Sequence, residues 1–249
     1  MSNCLLPYRL LPLLLLFLAL PASALEVAEI LRAVDSYRLP SESARVSVEV
    51  QRFEGETLDK SRDYRVYITP GRRSLVLMRS PSEAGQKLLM VEDYFWILMP
   101  QSRNPIRITP LQKLLGEAST GDVATMTFSE YYDAALVGET QWEGQEALRL
   151  DLKAAHPGTT YARVDLLVRK ADQVPLAADL YVESGKLVKQ ARYHLGELQG
   201  RPAITRMELI DKIQKDRRTL VLTKDIEAVA IPEKYYNPMF LVRANLEDF

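Results

Sequence analysis

Two histidines, His156 and His194, are the side chains of this sequence whose charge would change near neutral pH. Acid–base chemistry would have to begin with them. His156 precedes Pro157-Gly158 and reads as an exposed turn residue. His194 stands between Tyr193 and Leu195 in a strand pattern and reads as an ordinary sheet residue. Glu92-Asp93 could be taken for a carboxylate pair, but neighbours on a strand point to opposite faces, and a hairpin turn explains them better. No C-x-x-C, H-E-x-x-H, G-x-S-x-G or phosphate-loop pattern occurs. With one cysteine, Cys4, and two separated histidines, no metal site and no cofactor is expected. The pattern does not predict an enzyme.

A second kind of chemistry is the burial of grease. Met78, Met90, Phe95, Trp96 and Met99 fall in consecutive apolar segments. Their plain role is core. Their functional role would be an adaptable apolar pocket, because methionine packs around varied shapes. Each buried methylene of an acyl chain is worth about 0.8 kcal/mol, so about a dozen give roughly 10 kcal/mol without any charged anchor. Within "GQKLLMVEDYFWILMPQSRNPIRI", Phe95 to Met99 are five large apolar residues in a row. A strand with one face in water should alternate. The run therefore predicts one face on a helical lid and the other covered elsewhere.

The elements that must position these residues begin after an address. Residues 1–24 carry Arg9, an apolar core from Leu10 to Leu20 and the cleavage pattern Ala22-Ser23-Ala24, the layout of a secretory signal peptide. Cys4 precedes the apolar core, so it is not a lipoprotein acylation site, and release as a soluble protein is expected. Arg9 leaves with the signal, which takes 32 basic residues to 31 against 33 acidic, a net of −2. That balance does not suggest nucleic acid. A chain exported without a remaining cysteine must rely on its core, and a Gram-negative periplasm fits. Residues 25–249 show no linker or composition shift and read as one domain.

That domain opens with a helix. Leu25, Ala28, Ile30, Leu31 and Val34 recur at helical spacing up to Pro40. Period-two alternation follows in Val46-x-Val48-x-Val50 and Tyr64-x-Val66-x-Ile68, and returns in Leu148-x-Leu150-x-Leu152, Val164-x-Leu166-x-Val168 and Leu176 to Val182. Between the two blocks, Leu111, Leu114 and Leu115 suggest two helical turns ending at Gly116, and "MTFSEYYDAAL" a second short helix with Ser129 as cap. The expected fold is α+β, mainly β. It is an incomplete antiparallel barrel, a curled sheet of about eleven strands closed by a helical lid near 110–135. The expected cleft residues are Val48, Val66, Leu77, Leu88, Met90, Trp96, Leu98, Leu150, Leu166 and Leu180. The expected lid residues are Leu111, Leu114, Leu115, Gly116 and Gly121, the glycines acting as hinges. Such a lid should exchange its amides faster than the strands around 95–99 and slow when an acyl ligand binds. The basic tip holding Lys212, Lys215, Arg217 and Arg218 reads as a solvated turn, with docking to an anionic surface as its alternative.

The segment "SPSEAGQKLLMVEDYFWILMPQSRNPIRI" resembles the central signature of the LolA-like outer-membrane lipoprotein-sorting family, through Pro81, Gly85, Leu88, Leu89, Trp96, Pro100, Arg103 and Ile108. "TPLQKLLGEASTGDVATMTFSEYYDAALVGE" resembles the family's lid segment at Leu115-Gly116, Ala118, Ser119 and Gly121-Asp122, and "IPEKYYNPMFL" its ending. The resemblance covers nearly all of the mature chain and points to a divergent branch. It implies a half-barrel closed by helices and a monomeric periplasmic carrier. The carrier would take lipoprotein acyl chains or another lipidic cargo from an inner-membrane export permease or ABC-type transporter towards the outer membrane. It also implies a cavity arginine that helps hold the lid; Arg45, Arg52 and Arg65 lie in early strands, and the motif does not assign the role to one of them. The alternative of another class is a periplasmic lipid-sensing regulator of the same fold. Regulators of that kind carry a second domain, for which the chain ends too soon.

Overall fold

The computed structural model describes residues 22–39, 42–125, 127–212, 217–244 and 246. Most of the expected signal segment, Pro40 and Lys215 lie outside these residues. The first element is α1 (Ala22–Ser36), which turns Val27, Ile30, Leu31 and Val34 inward. Six strands follow as a meander: β1 (Ala44–Glu54), β2 (Thr57–Thr69), β3 (Arg73–Met78), β4 (Lys87–Val91), β5 (Tyr94–Leu98) and β6 (Ile106–Ile108). A small hairpin of β7 (Lys113–Leu115) and β8 (Ala118–Ser119) leads into the short helix α2 (Thr120–Ala124). Seven strands then run from β9 (Tyr132–Trp142) through β10 (Gln145–Ala154), β11 (Arg163–Arg169), β12 (Pro175–Tyr181), β13 (Leu187–Leu198) and β14 (Arg201–Asp211) to β15 (Arg217–Ala228). A C-terminal segment carries α3 (Pro238–Arg243).

The two meanders become one sheet because β1 pairs antiparallel with β15 along its length, from Ala44↔Ala228 to Glu54↔Arg217. The order is β6-β5-β4-β3-β2-β1-β15-β14-β13-β12-β11-β10-β9, thirteen strands with free edges at β6 and β9. This is the expected open, curled antiparallel sheet. Its strands exceed the expected eleven, partly because β9 starts at Tyr132, within the second half of the stretch expected as a second lid helix. Leu136 and Val137 of β9 are exposed, and the register with β10 shifts at Val137, between Leu136 and Gly138, so this edge strand lacks clean alternation. Ser129 does not cap a helix; its amide donates to the Asp35 carboxylate at 2.8 Å.

The expected two turns of helix at Pro110 are also corrected. Leu111, Leu114 and Leu115 sit around the β7–β8 hairpin, whose turn places Gly116 at φ +55°. The helix begins later, at Ser119, where a capping box is complete: the Ser119 hydroxyl accepts from the Asp122 amide and the Asp122 carboxylate accepts from the Ser119 amide. A three-and-four spacing of leucines fits a helix face and a tight hairpin alike, whereas Ser-x-x-Asp marks a helix start.

The apolar run has both faces covered by protein over 95–98, while Met99 at its end is exposed. Phe95 and Ile97 join the cluster on the concave side, with α1, the lid segment and the inward residues of both meanders. Trp96 and Leu98 join a second cluster on the convex side, with Tyr67, Leu75, Leu77 and Leu89 beneath Tyr236, Leu241 and Leu246 of the C-terminal segment. Lys87 fastens that cover by donating to the Leu241 and Ala244 carbonyls at 3.1 and 2.9 Å, satisfying the open end of α3.

Candidate functional site

The concave face draws its residues from strands on both sides of the β1–β15 seam. Val48, Val66, Leu88, Met90, Leu150, Leu166 and Leu180 are all buried in its one cluster, so seven of the ten expected cleft residues converge. Leu77, Trp96 and Leu98 stand on the convex face instead. Strands β3 to β5 are apolar on both faces, and without a polar register the sequence gives no sign of which side points inward.

The concavity is filled from above by aromatic side chains. Phe128, Tyr131 and Tyr132 follow α2, and Tyr161 and Tyr193 rise from the sheet side; all are buried. The ring of Phe128 packs against Tyr132 and, edge-on, against Tyr193 at 6.5 Å between centroids. The Tyr131 hydroxyl reaches Met90 Sδ at 3.5 Å. A wider pocket of about 270 Å³ opens at the rim between α1, β2 and residues 127–130, and among the rings themselves lies a cavity of about 40 Å³ bordered by Arg38, Asp122, Phe128, Tyr132, Tyr161 and Tyr193. That holds a water molecule and not an acyl chain. At the level of these rings the segment packs on the chain's own side chains.

Polar contacts hold the lid on this greasy surface. Arg62, inward-facing on β2 opposite Val50, donates to the Leu114 carbonyl at 3.0 Å and pairs with Glu83. The Glu117 amide donates to Thr219 Oγ1 at 2.9 Å. Asp122 on α2 meets Lys189 on β13 at 2.7 Å and accepts from the Tyr161 hydroxyl at 2.7 Å, while Lys189 also reaches the Tyr161 oxygen at 3.0 Å. The pair is almost wholly out of water, with side-chain exposures of 4% for Asp122 and 7% for Lys189. At the other end of the lid, the Asp35 carboxylate of α1 accepts from the Phe128 and Ser129 amides at 2.6 and 2.8 Å. Of the arginines in the early strands, Arg45 pairs with Glu227, Arg52 pairs with Asp59, and Arg65 shares the convex face with Leu77. The arginine that grips the lid backbone is Arg62.

Of the expected lid residues, Leu115 is buried in the concave cluster, Leu114 packs on it, and Leu111 is exposed. The two glycines are contact points. A β-carbon at Gly116 would lie 2.4 Å from Thr219 Oγ1, in a left-handed backbone conformation that itself favours glycine. A β-carbon at Gly121 would lie 1.9 Å from Thr160 Oγ1, so α2 approaches the 155–162 loop as closely as a hydrogen allows.

The carboxylates of this site respond to acid in opposite senses. Burial raises the Asp122 pKa, but the Lys189 charge and hydrogen bond, with help from Ser119 and Tyr161, outweigh it and hold the group below 3.8. On the opposite face of β1, between inward Val48 and Val50, burial likewise works to raise Glu49, yet hydrogen bonds from Lys224, Gln51 and Ser61 lower it from 4.5 to about 2. For Asp35 burial wins over its hydrogen bonds, and its pKa is raised above 3.8. A raised carboxylate binds its proton more tightly in the folded state, so acidification down to about 3.8 favours folding through Asp35. Depressed carboxylates contribute stability that is present above their unfolded values and lost as pH falls through their folded ones. Denaturation midpoints are therefore expected to rise on mild acidification and to fall between pH 4.5 and about 2. In Asp35→Asn the rise should vanish and the fall remain; an unchanged profile in that variant would refute the assignment.

His194 lies on β13 and His156 in the loop that follows β10. His194 Nδ1 is 2.9 Å from Arg206 Nη2, and burial, then the Arg206 charge, lower its pKa. His156 lies in the loop beside Thr159 and Pro157 at the rim of a surface pocket. Among the described residues no group of three His, Cys, Asp or Glu side chains could hold a metal ion.

A family model described as "uncharacterized protein" matches residues 71–243. The chain resembles the crystal structure of a LolA superfamily protein from Nitrosomonas europaea, with 26% identity and a TM-score of 0.78, covering 84% of this chain and 96% of that one. A DUF1329 family protein from Desulfovibrio piger is 18% identical with a TM-score of 0.69, covering 86% and 97%. A putative outer membrane lipoprotein-sorting protein domain from Vibrio parahaemolyticus is 16% identical with a TM-score of 0.68, covering 87% and 98%. These last two share the fold. No curated protein sequence matches the chain. The family model spans most of the sheet and the whole lid, and the half-barrel superimposes on a LolA superfamily structure over nearly its full length: the chain belongs to the LolA-like family.

Proposed function

We propose that the protein is a non-enzymatic periplasmic carrier. It would shield the acyl chains of a lipoprotein, or another lipidic cargo, between an inner-membrane export permease or ABC-type transporter and the outer membrane. One observation carries the reading: a continuous apolar concave face closed by a segment fastened through a few polar contacts. A permanent core has no need of a buried ion pair, since apolar residues of the same volume serve at least as well. A cover that must leave and return has a use for contacts that fix its register and that water can replace. The likeness to a LolA superfamily protein and to a lipoprotein-sorting domain supports the same reading. The chain's first residues, with the layout of a signal peptide, agree with an extracytoplasmic site of action.

The test is binding. An environment-sensitive fatty-acid probe should bind saturably and be displaced by lipid extract. Leu88→Asn places a polar group on the concave face and should weaken binding about tenfold, as an unsatisfied polar group costs about 1–3 kcal/mol. Trp96→Gln alters the convex face and should leave binding within about twofold. Equal losses in the two variants, both shown to be folded by circular dichroism, would place the ligand elsewhere. Failure of every amphiphile to bind the native protein would end the carrier reading.

A further inference from the structure

Along β13 the inward register reads Lys189, Ala191 and Tyr193. A lysine in that row puts an ammonium group on the surface proposed to take lipid. In the closed state its charge is answered by Asp122, which belongs to the lid and must leave with it. Lys189 belongs to the sheet and stays. Tyr161, in the 155–162 loop, touches both, and Arg38, whose guanidinium lies 4.9 Å from the Phe128 ring centroid and 5.7 Å from that of Tyr193, borders the same small cavity. Among the described residues Arg38 forms no ion pair. The other buried charges nearby are Asp35 of α1 and Asp211, opposite Lys189 across the β13–β14 pair. Closed, the set carries two formal positive and three formal negative charges; lifting α2 removes one negative charge from beside Lys189.

An ammonium group covered again by acyl chains, with no anion in place of Asp122, would lose the carboxylate that meets it at 2.7 Å and keep only the cross-strand Asp211 as a neighbouring negative charge. A neutral amphiphile cannot supply that anion. We infer that the cargo bears an acidic headgroup, a phosphate or a carboxylate, which takes the place of the Asp122 carboxylate on Lys189 and Tyr161, with Arg38 as the second cation of the site. The exchange makes lid opening and cargo entry one event: the anion that lifts the lid is the anion that replaces it. The inference rests on the carrier reading and narrows it from lipidic cargo to acidic lipidic cargo.

Three amphiphiles of equal chain length, an alkyl phosphate, a fatty acid and a monoacylglycerol, separate the possibilities when titrated below their micelle concentrations. The native protein should bind at least one of the acidic two about tenfold or more tightly than the monoacylglycerol. The tighter of the two acids names the headgroup. Asp122→Asn combined with Lys189→Met removes the pair without stranding either charge, and should bind all three within about threefold of one another. Lys189→Arg keeps the charge and should keep the preference. If the native protein binds the neutral amphiphile as tightly as both acids, the inference falls and the carrier reading stands. The inference also falls if the preference survives intact in the double variant. If none of the three binds, both fall together.

Discussion

Lys189→Met is expected to speed amide exchange in the lid by about a hundredfold to a thousandfold, while the strands around Leu150 and Leu166 change little. The lysine side chain is 7% exposed and the Asp122 side chain it faces is 4% exposed, so the substitution leaves a carboxylate out of water with no cation beside it. Removing one partner of such a pair costs about 3–5 kcal/mol. Here the molecule has an escape, because α2 can move and return Asp122 to solvent. The cost should therefore fall on the closed state of the lid rather than on the sheet. The reporters are the amides of Thr120, Gly121 and Thr125, which donate within the closed lid to Gln112, Pro110 and Gly121 carbonyls at 2.8 Å each. At about 1.4 kcal/mol per factor of ten, a loss of 3–4 kcal/mol gives the expected acceleration. Adding Asp122→Asn should recover most of the protection, since two neutral groups of similar size strand no charge. Slow exchange in the single variant would mean that the lid is a fixed plug and the pair an ornament of the core.

Gly121→Ala should have the second-largest effect, by pressure rather than by charge. The added methyl would sit 1.9 Å from Oγ1, 2.6 Å from Cγ2 and 2.8 Å from Cβ of Thr160, which is itself buried. The side chain cannot swing into solvent, so α2 must retreat. Overpacking of this kind costs about 1–3 kcal/mol. The retreat pulls Asp122 away from Lys189 one residue along the same turn. The variant should therefore lose denaturant stability and, if the protein is the proposed carrier, gain amphiphile affinity, because a closed state would compete with cargo. Thr160→Ala removes the two nearest atoms and should restore part of the stability lost. A variant as stable as the native protein, with an unaltered lid, would show that the approach is looser than these distances.

The curled sheet was legible where one face meets water. Val46, Val48 and Val50 alternate with polar neighbours, and so do Leu148, Leu150 and Leu152; all six lie on the concave side as their spacing predicts. Legibility failed where both faces are covered. The C-terminal segment hides the convex side of β3 to β5, so a polar register there was not required and Leu77, Trp96 and Leu98 read like inward residues. The lid was legible as an interruption between two blocks of strands, but not in form, because hairpin and helix share the spacing of its leucines. Signals for the polar fastening were present and unused. Ser119-x-x-Asp122 is a capping box, and Lys189 is a cation in an otherwise apolar row. Their meeting could not be read, because 67 residues separate them and no local rule joins α2 to β13.

The β1–β15 seam bears on how the molecule comes into being. Each meander is built from neighbours in sequence and can zip as it is made. The seam joins Ala44 to Ala228, so the first strand has no partner on that side until almost the last strand exists. Until the seam pairs, β1 and β15 each present an open edge on that side, and the apolar faces of the two meanders have no common core. Closing a loop of that length is entropically slow even though each added residue costs little. The late seam thus acts as a clock. The two halves share one core only once β15 has paired with β1.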